Sequence, residues 1–178
     1  EYAAGQVEVN IRHDSALIAA DRVVMFRSLV KQLAARHGLL ATFMAKPFLS
    51  ESGNGFHTHY SAWADGANVF SQDGHLSQTG RHFLGGLQSR MAESSICGAA
   101  TVNAYRRRQP YSFCPTNASW GYDNRTTAFR VPDSTPDNRR VENRFPGADA
   151  NPYLAIAASL ASGLLGLENK LQPTAPHQ

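Results

Sequence analysis

Gly53-Asn54-Gly55-Phe56-His57-Thr58-His59-Tyr60-Ser61 is the stretch from which the rest of the chain is read. Two histidines stand two residues apart behind a Gly-Asn-Gly turn, in a run that alternates and carries aromatic residues. In a strand, side chains at i, i+2 and i+4 share a face. His57, His59 and Ser61 then point one way, and Phe56, Thr58 and Tyr60 the other. One face offers imidazoles and a hydroxyl, enough to hold a metal ion and a polar ligand. The glycines let the backbone approach that ligand closely. A His-x-His pair alone is equally compatible with polar residues on a half-buried strand, so its meaning depends on what else the chain carries.

Upstream, residues 39–46 read as a strand stopped by Pro47. Asp14 is a candidate helix N-cap. Ala19, Val23, Phe26, Val30 and Leu33 follow at helical spacing, and His37-Gly38 closes the helix with a basic last turn and a C′ glycine. Residues 1–12 read as a strand with Val7, Val9 and Ile11 on one face. Glu1 and Glu8 are an odd number of residues apart, so they converge only through a bulge or kink at Gly5-Gln6.

Downstream, residues 63–74 contain Asp65-Gly66 and Asp73-Gly74 and form a turn-rich excursion. Ser77 caps a second helix with Phe83, Leu84, Leu87 and Met91 on its buried side. Gly80, Gly85 and Gly86 each weaken that helix by about 1 kcal/mol relative to Ala, which marks a close-packing site. Residues 101–145 read as short strands and loops rich in Arg, Pro and Asn. Asn151-Pro152 starts a third helix, apolar almost all round over residues 153–167 and therefore expected to be buried. The class is α+β, with a largely antiparallel, curved sheet flanked by helices.

At 178 residues and 42% hydrophobic, the chain is one domain with its own core. The net charge of +3 is modest. Arg106, Arg107, Arg108, Arg125, Arg130, Arg139, Arg140 and Arg144 are concentrated, but they alternate with carboxylates and prolines. Their planar forks suit phosphates and carboxylates, so a small anionic ligand is expected rather than nucleic acid. Cys97 and Cys114 make neither a disulfide framework nor a metal knuckle. No stretch is long and apolar enough to span a membrane, and no signal-peptide pattern is visible. A cytoplasmic location with reduced thiols is expected. The chain starts at Glu1 without an initiating Met, which suggests a piece of a longer protein.

Two more constellations bear on chemistry. In Arg139-Arg140-Val141-Glu142-Asn143-Arg144-Phe145, a strand puts Arg140, Glu142 and Arg144 on one face. A carboxylate between two guanidiniums is held ionised. That arrangement is either a surface salt-bridge ladder or the setting a hard metal needs beside an anionic substrate. The runs Asn103-Ala104-Tyr105-Arg106-Arg107 and Tyr122 through Arg130 form the other, with Arg125 and Arg130 flanking a short apolar strand. No glycine-rich Walker loop is present, so any bound phosphates would rely on arginines and metals.

Taken in order, these motifs resemble the catalytic domain of the glutamine synthetase family. The landmarks are Glu1-x6-Glu8, Ala41-Thr42-Phe43-Met44-Ala45-Lys46-Pro47, Gly53-x-Gly55-Phe56-His57-x-His59, Asn103-x-Tyr105-x-Arg107, Asn124-Arg125-x4-Arg130, Arg140-x-Glu142-x-Arg144 and Ala150-Asn151-Pro152-Tyr153-Leu154. They cover nearly the whole chain. The resemblance implies a ligase that joins an amine to the γ-carboxyl of glutamate, with ATP as substrate and two or three Mg²⁺ or Mn²⁺ ions per site. It implies Glu1 and Glu8 as ligands of one metal, and His57 and Glu142 as ligands of a second. His59 and Ser61 are implied as nucleotide contacts, the Gly53 backbone with Arg107 and Arg144 as the glutamate site, and Arg125, Arg130 and Arg140 as phosphate-binding arginines. Of these, Arg125 and Arg144 are the expected catalytic arginines. A homo-oligomeric ring such as a dodecamer is also implied.

The chain departs from the family in three places. Ammonia-using members carry a Glu in a Pro-Gly-Tyr-Glu-Ala-Pro flap, thought to take a proton from ammonium. Here the run is Pro110-Tyr111-Ser112-Phe113-Cys114-Pro115, and Phe113 takes the place of that Glu. Phe accepts no proton, but its ring can contact the apolar part of a larger amine or a cation. In this the chain looks more like the γ-glutamylpolyamine and γ-glutamylanilide synthetase branch, and a polyamine or aromatic amine is the expected substrate. Ser52 replaces an Asn before Gly53, and His13 stands where an aromatic residue often lies near the adenine. Residues 1–178 correspond to the central part of the catalytic domain, without the family's N-terminal β-grasp domain, its two upstream metal-binding glutamates or its C-terminal extension. Alone, such a piece is expected to be inactive. The alternatives are glutamine synthetase itself, a non-catalytic family member with a structural role, and a metallohydrolase using His57 and His59, which leaves the arginines unexplained.

Overall fold

Gly38, in the left-handed region at φ 69°, ends the first helix, α1, Ala16–Arg36. Its N–H bonds Ala35 O at 3.1 Å while the Leu39 N–H bonds Ala34 O at 2.9 Å, a Schellman closure. At the other end Asp14 is not the cap. Ser15 holds that position, and Asp14 instead accepts from the Ser15 N–H and pairs with Arg22 at 2.7 Å. These elements come from the computed structural model of the chain, which describes residues 1–110 and 112–177. Tyr111 of the expected flap lies outside the described residues.

Neither residues 1–12 nor residues 39–46 form a strand. Val7, Val9 and Ile11 alternate as a strand would, but they are exposed and have no neighbouring strand among the described residues. Residues 39–46 are tied by loops instead. Asn54 Nδ2 donates to Met44 O at 2.8 Å and the Asn54 N–H to Ala45 O at 2.8 Å.

After β1, Thr58–Tyr60, come two small hairpins: β2, Trp63–Ala64, with β3, Ala67–Asn68, and β4, Ser71–Gln72, with β5, His75–Leu76. Asp65-Gly66 and Asp73-Gly74 have positive φ at both residues, the geometry of type I′ hairpin turns. Helix α2, Gln78–Gly98, is capped as expected, with Ser77 Oγ accepting from the Gly80 N–H at 3.1 Å. The run from Asn103 is not loop but a short helix, α3, Val102–Arg106, because Thr101 Oγ1 accepts from the Ala104 N–H. Then follow β6, Trp120–Tyr122, β7, Phe129–Val131, a 3₁₀ turn at Pro136–Asn138, β8, Val141–Asn143, and α4, Pro152–Glu168. Asn151 Oδ1 accepts from the N–H groups of Tyr153 and Leu154.

The main sheet has the order β1-β8-β7-β6, antiparallel at β1/β8 and β8/β7 and parallel at β7/β6. Trp120, Phe129, Val131 and Val141 from its inner face join Phe83, Leu84, Leu87 and Met91 of α2 in the core. The segment after α4 covers the free edge of β6: the His177 N–H bonds Trp120 O, and Trp120 Nε1 donates to Thr174 O, both at 2.8 Å.

Helix α4 is not buried all round. Tyr153, Leu154 and Leu164 are exposed, while Ala155, Ile156, Ser159, Ser162, Gly163 and Gly166 face inward. The close approach of α2 is the reason. A Cβ on Gly86 would lie 2.1 Å from Ser162 O, and one on Gly163 would lie 2.0 Å from Phe83 Cε2. Only small residues fit that seam, so the large apolar side chains turn outward. Among the described residues no helix is long and apolar enough to cross a membrane.

Candidate active site

The strand register lines up the central groups. His59 on β1 and Arg130 on β7 both lie directly across from Glu142 on β8. Their strand neighbours Thr58, Tyr60, Phe129, Val131, Val141 and Asn143 are buried. His59, Glu142 and Arg130 therefore stand together on the opposite face.

Glu142 is only 2% exposed, because the surrounding side chains cover it. Arg144 NH1 donates to Oε1 at 2.8 Å and Arg130 NH1 to Oε2 at 3.0 Å. His57 Nδ1 lies 3.3 Å and His59 Nε2 3.9 Å from Oε1. Burial alone would raise the Glu142 pKa. The hydrogen bond from His57 and the charges of Arg144, His57 and His59 outweigh it and hold the carboxyl at about 2. Arg130 also donates to Asp123 Oδ1 at 2.6 Å, so it bridges two carboxylates. Of the two guanidiniums expected to flank Glu142, only Arg144 does so. Arg140 precedes the short β8, and its Nε reaches His59 Nδ1 at 3.2 Å while NH1 donates to Asn138 O. Arg130, inside β7 rather than flanking it, takes the second place.

His59 keeps 39% of its side chain open to solvent, yet its partial burial lowers its pKa to about 4. The charges of Arg140, His57 and Arg130 add to that, while Glu142 opposes it. Ser61 lies just beyond β1, exposed, and its Oγ accepts from Trp63 Nε1 at 3.1 Å.

The expected convergence of Glu1 and Glu8 is present, by a turn rather than a bulge in a strand. Gly5 sits at φ 74° and the Gln6 N–H closes onto Ala3 O at 3.0 Å. The Glu8 pKa is raised, first by its hydrogen bond with the Glu1 carboxyl and then by burial and the Glu1 charge; the charge of His57 lowers it and that of Glu142 raises it. Gln6, read from the sequence only as part of the kink, ties this segment to the glycine turn through its side chain. Its Nε2 donates to Gly53 O at 3.0 Å and to Asn54 Oδ1 at 2.7 Å. Among the described residues, no three His, Cys, Asp or Glu side chains form a ready ion-binding group. The candidate donors come instead as two pairs, Glu1 with Glu8 and His57 with Glu142. Carboxylate oxygens plus one imidazole suit a hard divalent ion that takes its remaining ligands from water and phosphate.

Arg107, at the end of α3, is buried beneath the turn, and its guanidinium donates to the carbonyls of Phe145, Pro146 and Arg144. Gly53 and Gly55 make room for it: a Cβ on either would lie 2.8 Å from an Arg107 side-chain atom. Arg144 Nε is buried with no partner among the described residues. Arg125 is exposed in the turn before β7. Burial raises the pKa of the Cys114 thiol despite the charges of Arg107, Arg108 and Arg144, which disfavours a thiolate nucleophile there.

Phe113 is exposed and left-handed at φ 59°. Its ring stacks on Tyr2, with centroids 4.5 Å apart and planes 22° apart. A ring-bearing residue costs roughly 1–2 kcal/mol in that backbone region, and a stacked aromatic pair returns about 0.5–1.5 kcal/mol. The two effects are of similar size, so the stack is enough to hold the conformation. Tyr2 had no signal of its own in the sequence.

Comparison with known proteins follows the same lines. The family profile described as glutamine synthetase, catalytic domain, matches residues 1–178. A glutamate–isopropylamine ligase from Pseudomonas sp is 46% identical over 180 residues, covering 99% of this chain and 39% of that protein. A glutamine synthetase from Pyrococcus horikoshii is 43% identical, with 98% of this chain and 40% of that protein covered. A gamma-glutamylethanolamide synthetase from Streptomyces coelicolor is 43% identical, with 97% and 37% covered. The solved structure of apo GmaS without ligand superposes with a TM-score of 0.82 at 43% identity, covering 92% of this chain and 38% of that one. The chain thus spans about two fifths of the length of these relatives.

Proposed function

The chain belongs to the glutamine synthetase catalytic-domain family, and from that premise we propose that the full-length protein is an ATP-dependent ligase joining an organic amine to the γ-carboxyl of glutamate. An oxygen of the γ-carboxylate attacks the terminal phosphorus of ATP and ADP leaves. The amine nitrogen then attacks the acyl carbon of γ-glutamyl phosphate, phosphate leaves, and the nitrogen gives up a proton.

The observation that carries this reading is Glu142, a carboxylate held ionised at about 2 among Arg130, Arg144 and His57. Glu1 with Glu8, and His57 with Glu142, are the residues that would hold divalent ions, magnesium or manganese. When bound, such ions offset charge on the phosphate oxygens. Arg144, whose buried Nε has no partner among the described residues, together with Arg125, Arg130 and Arg140, would stabilise the transferring phosphoryl group as its charge spreads. His59 and Ser61 would contact the nucleotide. Gly53, Arg107 and Arg144 would receive glutamate, with Arg107 acting mainly to brace the turn. Phe113, which accepts no proton, favours an organic amine over ammonia. Because a relative named glutamine synthetase and relatives named isopropylamine ligase and ethanolamide synthetase stand at similar identity, glutamine synthetase is the second reading.

The test is the full-length protein with glutamate, ATP, Mg²⁺ or Mn²⁺ and a panel of amines. Phosphate release and a γ-glutamylamide product are expected with an organic amine, and γ-glutamyl hydroxamate with hydroxylamine. Turnover with ammonia alone overturns the organic-amine part. Absence of amine-dependent phosphate release with every amine overturns the ligase. A cytoplasmic, homo-oligomeric ring belongs to the same proposal. The exposed Leu17, Met25 and Leu29 on α1 support assembly, and light scattering of the full-length protein tests it.

A further inference from the structure

We propose that Tyr2 positions Phe113 as one aromatic wall of the amine site, and that this wall selects a monoamine carrying an apolar substituent. The proposal rests on the ligase reading above and narrows its substrate class. The stack joins two segments distant in sequence, the one bearing Glu1 and Glu8 and the one that follows Arg107. It is also the contact that engages the Phe113 ring while the backbone sits at φ 59°, a region ring-bearing residues seldom occupy. Phe113 is 54% and Tyr2 73% exposed, so the pair leaves aromatic surface open on the segment that follows Glu1 directly. An aromatic face attracts apolar groups, and a cation centred over it. An amine bound there places its ammonium toward Glu1 and its substituent along the rings.

Charge argues against a polyamine. The flap is entered through Arg106, Arg107 and Arg108, and residues 106–115 contain no Asp or Glu. A second ammonium on a longer amine would meet like charge there, which is unfavourable. Neither ring can take a proton from ammonium or attract it by net charge, so the wall gives ammonia no advantage. Tyr2 acts through Phe113 and is a positioning residue.

The test uses the full-length protein as wild type, Tyr2→Leu, Tyr2→Phe and Phe113→Leu, with ammonia, propylamine and 1,4-diaminobutane. KM and kcat are measured separately for each amine, with KM for ATP and glutamate alongside. Wild type is expected to show its highest kcat/KM with propylamine. Tyr2→Leu and Phe113→Leu should raise the propylamine KM about tenfold, the loss of one good ring contact. KM for ATP and glutamate should change less than about twofold. Tyr2→Phe, which keeps the ring, should restore the wild-type KM. If wild type ligates propylamine and Tyr2→Leu leaves its KM unchanged, or if the diamine is preferred, the aromatic wall is overturned while the ligase stands. If wild type forms no γ-glutamyl product with any amine, the ligase reading falls and the wall falls with it.

Discussion

Arg130 and Glu142 face each other across the β7–β8 pair, and the guanidinium donates to Oε2 at 3.0 Å from that register position. Glu142 is therefore the shared counter-charge of Arg130 and Arg144, whose side chains are only 14% and 8% exposed. Removing one member of a buried ion pair strands the others and costs about 3–5 kcal/mol. Glu142→Gln is expected to lower unfolding stability by about 3 kcal/mol, read as a shift in the urea midpoint at unchanged slope. Asp123→Asn is the control. Its carboxylate also pairs with Arg130 but is 60% exposed, so solvent screens the pair and its loss should cost far less than that of Glu142. Equal losses in the two variants would remove Glu142 from the centre of the network.

His59 and Glu142 change stability in different pH windows that meet near 4. Burial first, then the charges of Arg140, His57 and Arg130, put His59 at about 4 rather than 6.5. Between those values the unfolded chain binds the proton and the folded chain does not, so stability falls as pH drops from 6.5 toward 4. Glu142, held at about 2 against 4.5, keeps its stabilising contribution down to about pH 4.5 and loses it as pH falls from there toward 2. In metal-free protein the imidazole Hε1 resonance of His59 should show no inflection between pH 8 and about 5. His59→Gln should flatten the decline in stability between 6.5 and 4. An inflection near 6.5 would contradict this assignment.

Which features were legible in the sequence follows from the range of the interactions. The Ser77 cap, the Asn151-Pro152 helix start, the Gly38 closure and the Asp-Gly turns are set by chemistry within a few residues, and each appears where it was expected. The alternation of Val7, Val9 and Ile11 is local too, but a strand also needs a partner, which periodicity does not reveal. The large residues of α4 read as buried because hydropathy says nothing of how closely α2 approaches. That approach is set by Gly86, Gly163 and Gly166 acting together. Alternation correctly put Glu142 beside Arg144, but naming Arg130 as the second guanidinium required the β7–β8 register. The side-chain contacts of Gln6 and Tyr2 were invisible because their partners, Gly53 and Phe113, are far away in the chain.

The α2–α4 seam makes a sharp contrast between two glycines of one helix. A Cβ on Gly80 would meet Leu76 Cδ1 at 2.5 Å, the end of a side chain rather than backbone. A Cβ on Gly86 would meet Ser162 O at 2.1 Å and Gly166 Cα at 2.8 Å, both backbone. Ala gains about 1 kcal/mol of helix propensity at either place, while overpacking costs about 1–3 kcal/mol or more. Gly80→Ala is expected to stay within about 1 kcal/mol of wild type, and Gly86→Ala to lose at least about 2 kcal/mol, by chemical denaturation. A stabilised Gly86→Ala would mean that the two helices are not in contact there.

Asn103 holds Lys46 from both sides, with Oδ1 accepting from the Lys46 N–H at 2.8 Å and Nδ2 donating to Lys46 O at 2.8 Å. Lys46 is 8% exposed and lies outside any strand, so no ladder replaces those bonds. Each stranded backbone group costs about 1–3 kcal/mol. Asn103→Ala should therefore cost about 2–4 kcal/mol, with Asn103→Asp in between, because it keeps the acceptor and loses the donor. The loss should also reach the turn. Ala45 O accepts from the Asn54 N–H and lies 2.7 Å from where a Gly53 Cβ would be, so Lys46 and the Gly53 backbone move as one piece. In the full-length protein the glutamate KM should rise in Asn103→Ala while the ATP KM changes little. A variant within about 0.5 kcal/mol of wild type, with an unchanged glutamate KM, would show that the clamp holds neither the fold nor the turn.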